Sequence, residues 1–68
     1  MEPMESICVA AAGYDVAGHV LRIRFVGGGT YDYLGVPAPV FRAFREADSK
    51  GRYVNHLIKP HYPARQVD

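Results

Sequence analysis

Leu21-Arg22-Ile23-Arg24-Phe25-Val26-Gly27-Gly28-Gly29-Thr30-Tyr31-Asp32-Tyr33-Leu34, residues 21–34, reads as two alternating arms joined by a glycine triplet. Period-two alternation sends Leu21, Ile23 and Phe25 to one face of a sheet and Arg22 and Arg24 to the other. Tyr31 and Tyr33 alternate with Asp32 in the same way. Glycines take positive φ without steric cost, so the triplet supplies the reversal. A two-residue loop would put the two patterns on mismatched faces, so the loop must be odd. Pairing Val26 with Thr30 sets Phe25 against Tyr31, Arg24 against Asp32 and Ile23 against Tyr33. This is the register expected.

Outward from this hairpin, Ser6 to Ala12 predicts a first strand, closed by a turn at Gly13-Tyr14-Asp15 and reopened after Gly18. On the other side, Gly35-Val36-Pro37 ends the sheet, with Pro37 suited to the first position of a helix. Val40, Phe41, Phe44 and Ala47 fall at helical spacing to about Asp48, an apolar stripe able to cover the tyrosine face. Gly51 is expected to cap that helix. Tyr53, Val54, Leu57 and Ile58 then predict a short second helix that Pro60 stops. The fold expected is α+β, a three-stranded antiparallel β-meander followed by an amphipathic helix and a short second helix. Its expected core is Phe25, Tyr31, Tyr33, Phe41, Phe44 and Tyr53. Residues 6–64 form the single domain, with residues 1–5 expected to be disordered and residues 65–68 a tail.

With 68 residues there is room for one small core. One cysteine, Cys8, precludes an internal disulfide and fits a reducing compartment. The start, Met1-Glu2-Pro3-Met4-Glu5, is acidic, and the apolar run Ile7–Ala12 is too short for a signal-peptide core or a membrane span. A cytoplasmic protein that uses no membrane is therefore expected. The net charge of +1 is unevenly spread. Residues 1–33 carry two basic and four acidic side chains, whereas residues 34–68 carry six basic and three acidic. That asymmetry points to an anionic partner.

The ordered set Gly13-Tyr14-Asp15, Leu21-x-Ile23-x-Phe25, the glycine cluster, Tyr31-Asp32-Tyr33, Val36-Pro37 and Ser49-Lys50-Gly51-x-Tyr53-x-Asn55 is similar to the KTSC domain. This small module is named after the C-terminal region of some lysyl-tRNA synthetases and is also found as a stand-alone bacterial protein with a central Tyr-x-Tyr pair. The resemblance runs from about Ser6 to Tyr62, and the central pair falls at Tyr31 and Tyr33. The chain departs at Val54, where members often carry an aromatic. The family brings no established activity, and RNA binding is its usual suggestion.

Aromatic side chains beside basic ones are how single-stranded nucleic acid is held. Tyr31 and Tyr33 share the face that must be buried, however, and read as core, with Gly51, Tyr53 and Asn55 as further structural markers. Lys50, Arg52, Lys59 and Arg65, interleaved with His56 and Tyr62, make a better surface for phosphates. Arg22 and Arg24 on the uncovered sheet face form a second patch. The bland alternative for all of these is a solvated charged surface, and Ser49 with Asn55 is expected to satisfy backbone groups near the interhelix turn. His19, His56, His61 and Cys8 lack paired-ligand spacing, so no metal site is expected. Cys8 in a strand would not be an activated, exposed thiolate. No phosphate loop or carboxylate pair is present. The reading is a small non-enzymatic module without cofactor, binding RNA, either single-stranded or tRNA. The alternative is a protein-interaction or accessory module that uses an exposed strand edge or the open sheet face.

Overall fold

Gly27 and Gly29 take φ of +72° and +89°, and between Phe25 and Gly29 they close the three-residue loop Val26–Gly28. The computed structural model describes residues 8–68, so the expectation for residues 1–5, and the start of the expected first strand, lie outside the described residues. The elements are β1 (Val9–Asp15), β2 (Val20–Phe25), β3 (Gly29–Leu34), α1 (Ala38–Glu46), α2 (Lys50–Tyr53), a π-helical turn (Val54–Ile58) and β4 (Ala64–Gln66). The four strands form one antiparallel sheet in the order β1-β2-β3-β4. The fold is α+β, as expected, with a fourth strand added.

The loop is odd, but the β2–β3 register differs by two residues from the one read from sequence. Leu21 lies opposite Tyr33, Arg22 opposite Asp32 and Ile23 opposite Tyr31, while Arg24 faces Thr30 and Phe25 faces Gly29. Faces are preserved because the shift is even. Gly29 belongs to the strand at its left-handed φ, and the Gly28 N–H donates to the Phe25 carbonyl at 3.3 Å, so the three-residue loop lies one position earlier than expected, at residues 26–28 instead of 27–29.

β1 runs through Gly13-Tyr14-Asp15, which were expected to turn. Gly13 has no positive φ, and the left-handed residue of the actual turn is His19, at φ 56°. Tyr14 therefore faces inward. Its hydroxyl donates to the Val36 carbonyl at 2.6 Å and its ring stacks on Phe41 at 4.7 Å between centroids. A bulge between Val9 and Ala11 shifts the β1–β2 register.

Pro37 is the N-cap of α1 rather than its first helical residue, and a second proline, Pro39, sits in the first turn, where a missing N–H leaves no partner unsatisfied. The helix ends at Glu46, with Ala47 extended beyond it. Gly51 caps nothing and lies within α2, whose N-cap is Ser49, with its hydroxyl oxygen accepting from the Arg52 N–H at 3.2 Å. In the next turn the Lys59 N–H bonds the Val54 carbonyl at 2.8 Å, an i→i−5 bond. This wider turn keeps Val54 and Ile58 inside and leaves Leu57, which helical spacing had grouped with them, 47% exposed.

The fully buried centre is aliphatic, made of Leu21, Ile23, Val36, Val54 and Ile58 with Phe44. Of the expected aromatic core, Tyr33 and Phe44 are buried. Phe25, Tyr31, Phe41 and Tyr53 pack around the centre, half-buried. Nor are residues 65–68 a loose tail. Arg65 and Gln66 pair with β3, the Val67 N–H donates to the Thr30 carbonyl at 2.9 Å, and the Asp68 carboxylate accepts from the Thr30 N–H and hydroxyl at 2.8 and 3.2 Å.

Candidate functional site

The return of the chain from the π-turn to β4 builds a cleft against the inner face of β2 and β3. Its lining includes Cys8, Phe25, Tyr31, Tyr33, Lys59 and Tyr62, and its volume is about 680 Å³, within the usual range of about 300–1,000 Å³ for ligand pockets. Alternation along β2 and β3 supplies Phe25 and Tyr31 from one face, and the two rings meet edge to face at 5.9 Å. The Lys59 ammonium stands 5.5 Å from the centroid of the Phe25 ring, close enough for a cation–π attraction. Tyr33, 3% exposed, has its hydroxyl pKa raised above the ordinary tyrosine value, chiefly by burial and then by Tyr31. Among the described residues its hydroxyl makes no hydrogen bond. Both tyrosines of the Tyr-x-Tyr pair thus border the cleft, Tyr33 from the buried core and Tyr31 half-buried on its wall.

Cys8 precedes β1 rather than lying in it and is exposed, so its strand placement, and the shielding drawn from it, do not hold. Its carbonyl accepts from the Val26 N–H at 3.0 Å.

The eight residues proposed from sequence for phosphate binding occupy three places. Lys59 and Tyr62 are in the cleft. Arg52 and His56 share a shallow depression beside Tyr53 and Leu57, with Lys50 next to them donating to the Ala47 carbonyl at 3.5 Å. Arg65 is on the outer sheet face with Arg22 and Arg24, because β4 sets it opposite Asp32. On that face Arg22 bonds both oxygens of Asp32, at 2.7 and 3.0 Å, and Arg65 approaches to 3.9 Å. The Arg22 hydrogen bonds hold the Asp32 carboxyl below its ordinary pKa against the opposing effect of burial. The open face is therefore partly neutralised, through Arg22 rather than Arg24.

Asn55 forms no side-chain hydrogen bond with a described residue, while Ser49 does cap α2 as expected. Tyr53 packs on Phe44 at 6.3 Å. Among the described residues no three of His, Cys, Asp and Glu gather in a group able to hold a metal, and no helix is long and apolar enough to cross a membrane. Sequence reading missed the cleft itself. The signal available was Lys59 and Tyr62 flanking Pro60, but only β4 shows which face they meet.

The model of the KTSC domain matches residues 5–62. The chain belongs to the KTSC domain family. It is 48% identical to a protein of Tsukamurella paurometabola over 64 residues, covering 94% of this chain and 96% of that one. A second relative, an uncharacterized protein of Stutzerimonas stutzeri, is 38% identical over 66 residues, covering 96% of this chain and 93% of the relative. The crystal structure of a KTSC domain protein from Yersinia pestis superimposes with a TM-score of 0.87 at 38% identity, over 97% of this chain and 93% of that chain. The KTSC fold thus carries the Tyr31-Asp32-Tyr33 strand at its centre, and the cleft opens on one side of it.

Proposed function

We propose that this KTSC domain is a small non-enzymatic module that binds RNA, single-stranded or in the unpaired regions of a tRNA, in the cytoplasm. The observation that carries the reading is Lys59 beside Phe25, Tyr31 and Tyr62 in one open cleft, a cation next to aromatic faces as single-strand binding needs. A reducing setting suits the exposed Cys8. Because the basic residues divide among three places, one short strand engages few of them. Two phosphate contacts give a salt slope near −1.4, so affinity should fall about sevenfold between about 50 and 200 mM salt. Titration of labelled single-stranded RNA and of tRNA across that range tests the proposal, and no binding below millimolar at the lower salt refutes it.

A second reading is favoured by β1. It is an edge strand of seven residues whose Ala10–Gly13 stretch is exposed and carries neither charge nor proline, the kind of edge that accepts another strand. Protein pairing there would be nearly insensitive to salt, which separates the two readings in one titration series.

A further inference from the structure

We infer, resting on the RNA reading above, that the cleft between β2–β3 and the Tyr62–Ala64 return is a nucleobase pocket, taking one base against Tyr31 and Tyr62 with the adjoining phosphate on Lys59. Three independent features of the cleft converge on this ligand. Its walls are aromatic, and stacking is how a protein grips an unpaired base without reading its sequence. Among the described residues its one charged lining group is the Lys59 ammonium, which suits an anion next to an apolar ring and not a second cation. Its lining also includes Tyr33, whose buried hydroxyl has no partner among the described residues. A buried polar group of this kind calls for a partner, and a base edge offers both donors and acceptors.

Charge and chemistry separate this site from the other basic places. On the outer sheet face Arg22 is already engaged by Asp32, and the groove that Arg22 and Arg24 line also contains the Asp68 carboxylate. The Arg52 and His56 depression is about 310 Å³ and shallow. Among the described residues, the cleft brings a stacking surface together with a cation that makes no ion pair with them.

The test is amide shift mapping of the full chain with a short oligouridine and with its abasic counterpart, which keeps the sugar-phosphate backbone and lacks the bases. The expected result is that oligouridine shifts Phe25, Gly28, Tyr31 and Ala64, and that the abasic strand binds about tenfold more weakly or worse, as loss of one stacked base requires. Tyr62→Leu should weaken oligouridine binding about tenfold, and Lys59→Gln should flatten its salt dependence. Tyr33→Phe, which keeps the ring, should weaken it severalfold without unfolding the domain. Equal binding of the two strands, or shifts confined to Arg22 and Arg24 or to Arg52 and His56, overturns the pocket while leaving RNA binding intact. Wild-type affinity in Tyr33→Phe overturns the hydroxyl contact. Failure of both strands to bind overturns the RNA reading itself.

Discussion

The Arg22 guanidinium holds Asp32 by two hydrogen bonds, Nε at 2.7 Å and Nη2 at 3.0 Å from the two carboxylate oxygens. A carboxylate with 5% of its side chain exposed is thereby held by a cation that remains 59% exposed. The pair lies directly across β2 and β3, where cross-strand partners contribute most. It gives the outer face a fixed register mark that the apolar inner face cannot supply.

The lowered pKa of Asp32 has a defined consequence for stability against pH. Unfolded, this carboxylate titrates near about 3.9; folded, it titrates lower because of Arg22. The unfolded chain therefore binds a proton first, so the contribution is whole above the unfolded value and is lost as pH falls through the folded one. Asp32→Asn should cost about 1 kcal/mol at neutral pH, since the Arg22 partner is largely solvated and screened. The gap from wild type in urea titrations should close as pH drops below that window.

Arg22 and Arg24 should differ sharply in coupling to Asp32. A double-mutant cycle of Arg24→Ala with Asp32→Ala should sum to within about 0.5 kcal/mol of additivity. The corresponding Arg22 cycle should not. Coupling that followed Arg24 instead would place the hairpin in the alternative register.

Val54 and Leu57 test the π-turn. Val54→Ala removes buried methyls and should cost about 2 kcal/mol, whereas Leu57→Ala, at a site 47% exposed, should stay within about 1 kcal/mol. Chemical denaturation midpoints read both.

Glycines of this chain are not interchangeable. Gly29→Ala meets a φ of +89° and places its Cβ 3.0 Å from the Gln66 Nε2, so it should destabilise by more than about 1 kcal/mol. Gly13→Ala enters open space at ordinary φ. It should be neutral or stabilise by up to about 1 kcal/mol. Thermal melts compare the two.

Tyr33 should ionise late. Its pKa is raised by burial, so the unfolded chain releases the proton first on the alkaline side. Stability is then present below the unfolded value near about 10 and is lost as pH rises through the folded one. Spectrophotometric titration of phenolate should lose a late component in Tyr33→Phe.

What the sequence disclosed, and what it withheld, follows from these particulars. Parity alone demanded an odd loop, and Val26–Gly28 has three residues. Parity is blind to an even shift, however, so it could not separate Arg22 from Arg24 as the partner of Asp32. That choice depends on which glycines go left-handed. Gly13 signalled a turn but is an ordinary strand residue, which hid the inward role of Tyr14. The 3.6-residue period placed Leu57 with Val54 and Ile58, and one i→i−5 bond turned it outward. Ala64-Arg65-Gln66 carries no strand pattern of its own. It pairs because β3 offers an open edge, so β4 and the cleft behind it were beyond any local reading.

The cleft wall at Tyr62, Pro63 and Ala64 is anchored by the shortest strand of the sheet, through bonds such as Leu34 N–H to the Pro63 carbonyl at 2.9 Å and Val67 N–H to the Thr30 carbonyl at 2.9 Å. The β1–β2–β3 hairpins close locally, whereas β4 returns only after both helices, a contact of long sequence separation that forms late and opens easily. Amide exchange at Leu34 and Val67 should therefore outpace that of the β2–β3 ladder. An opening confined to β4 would widen the cleft while the hairpins stay folded, so the size of the cleft is tied to the local stability of β4.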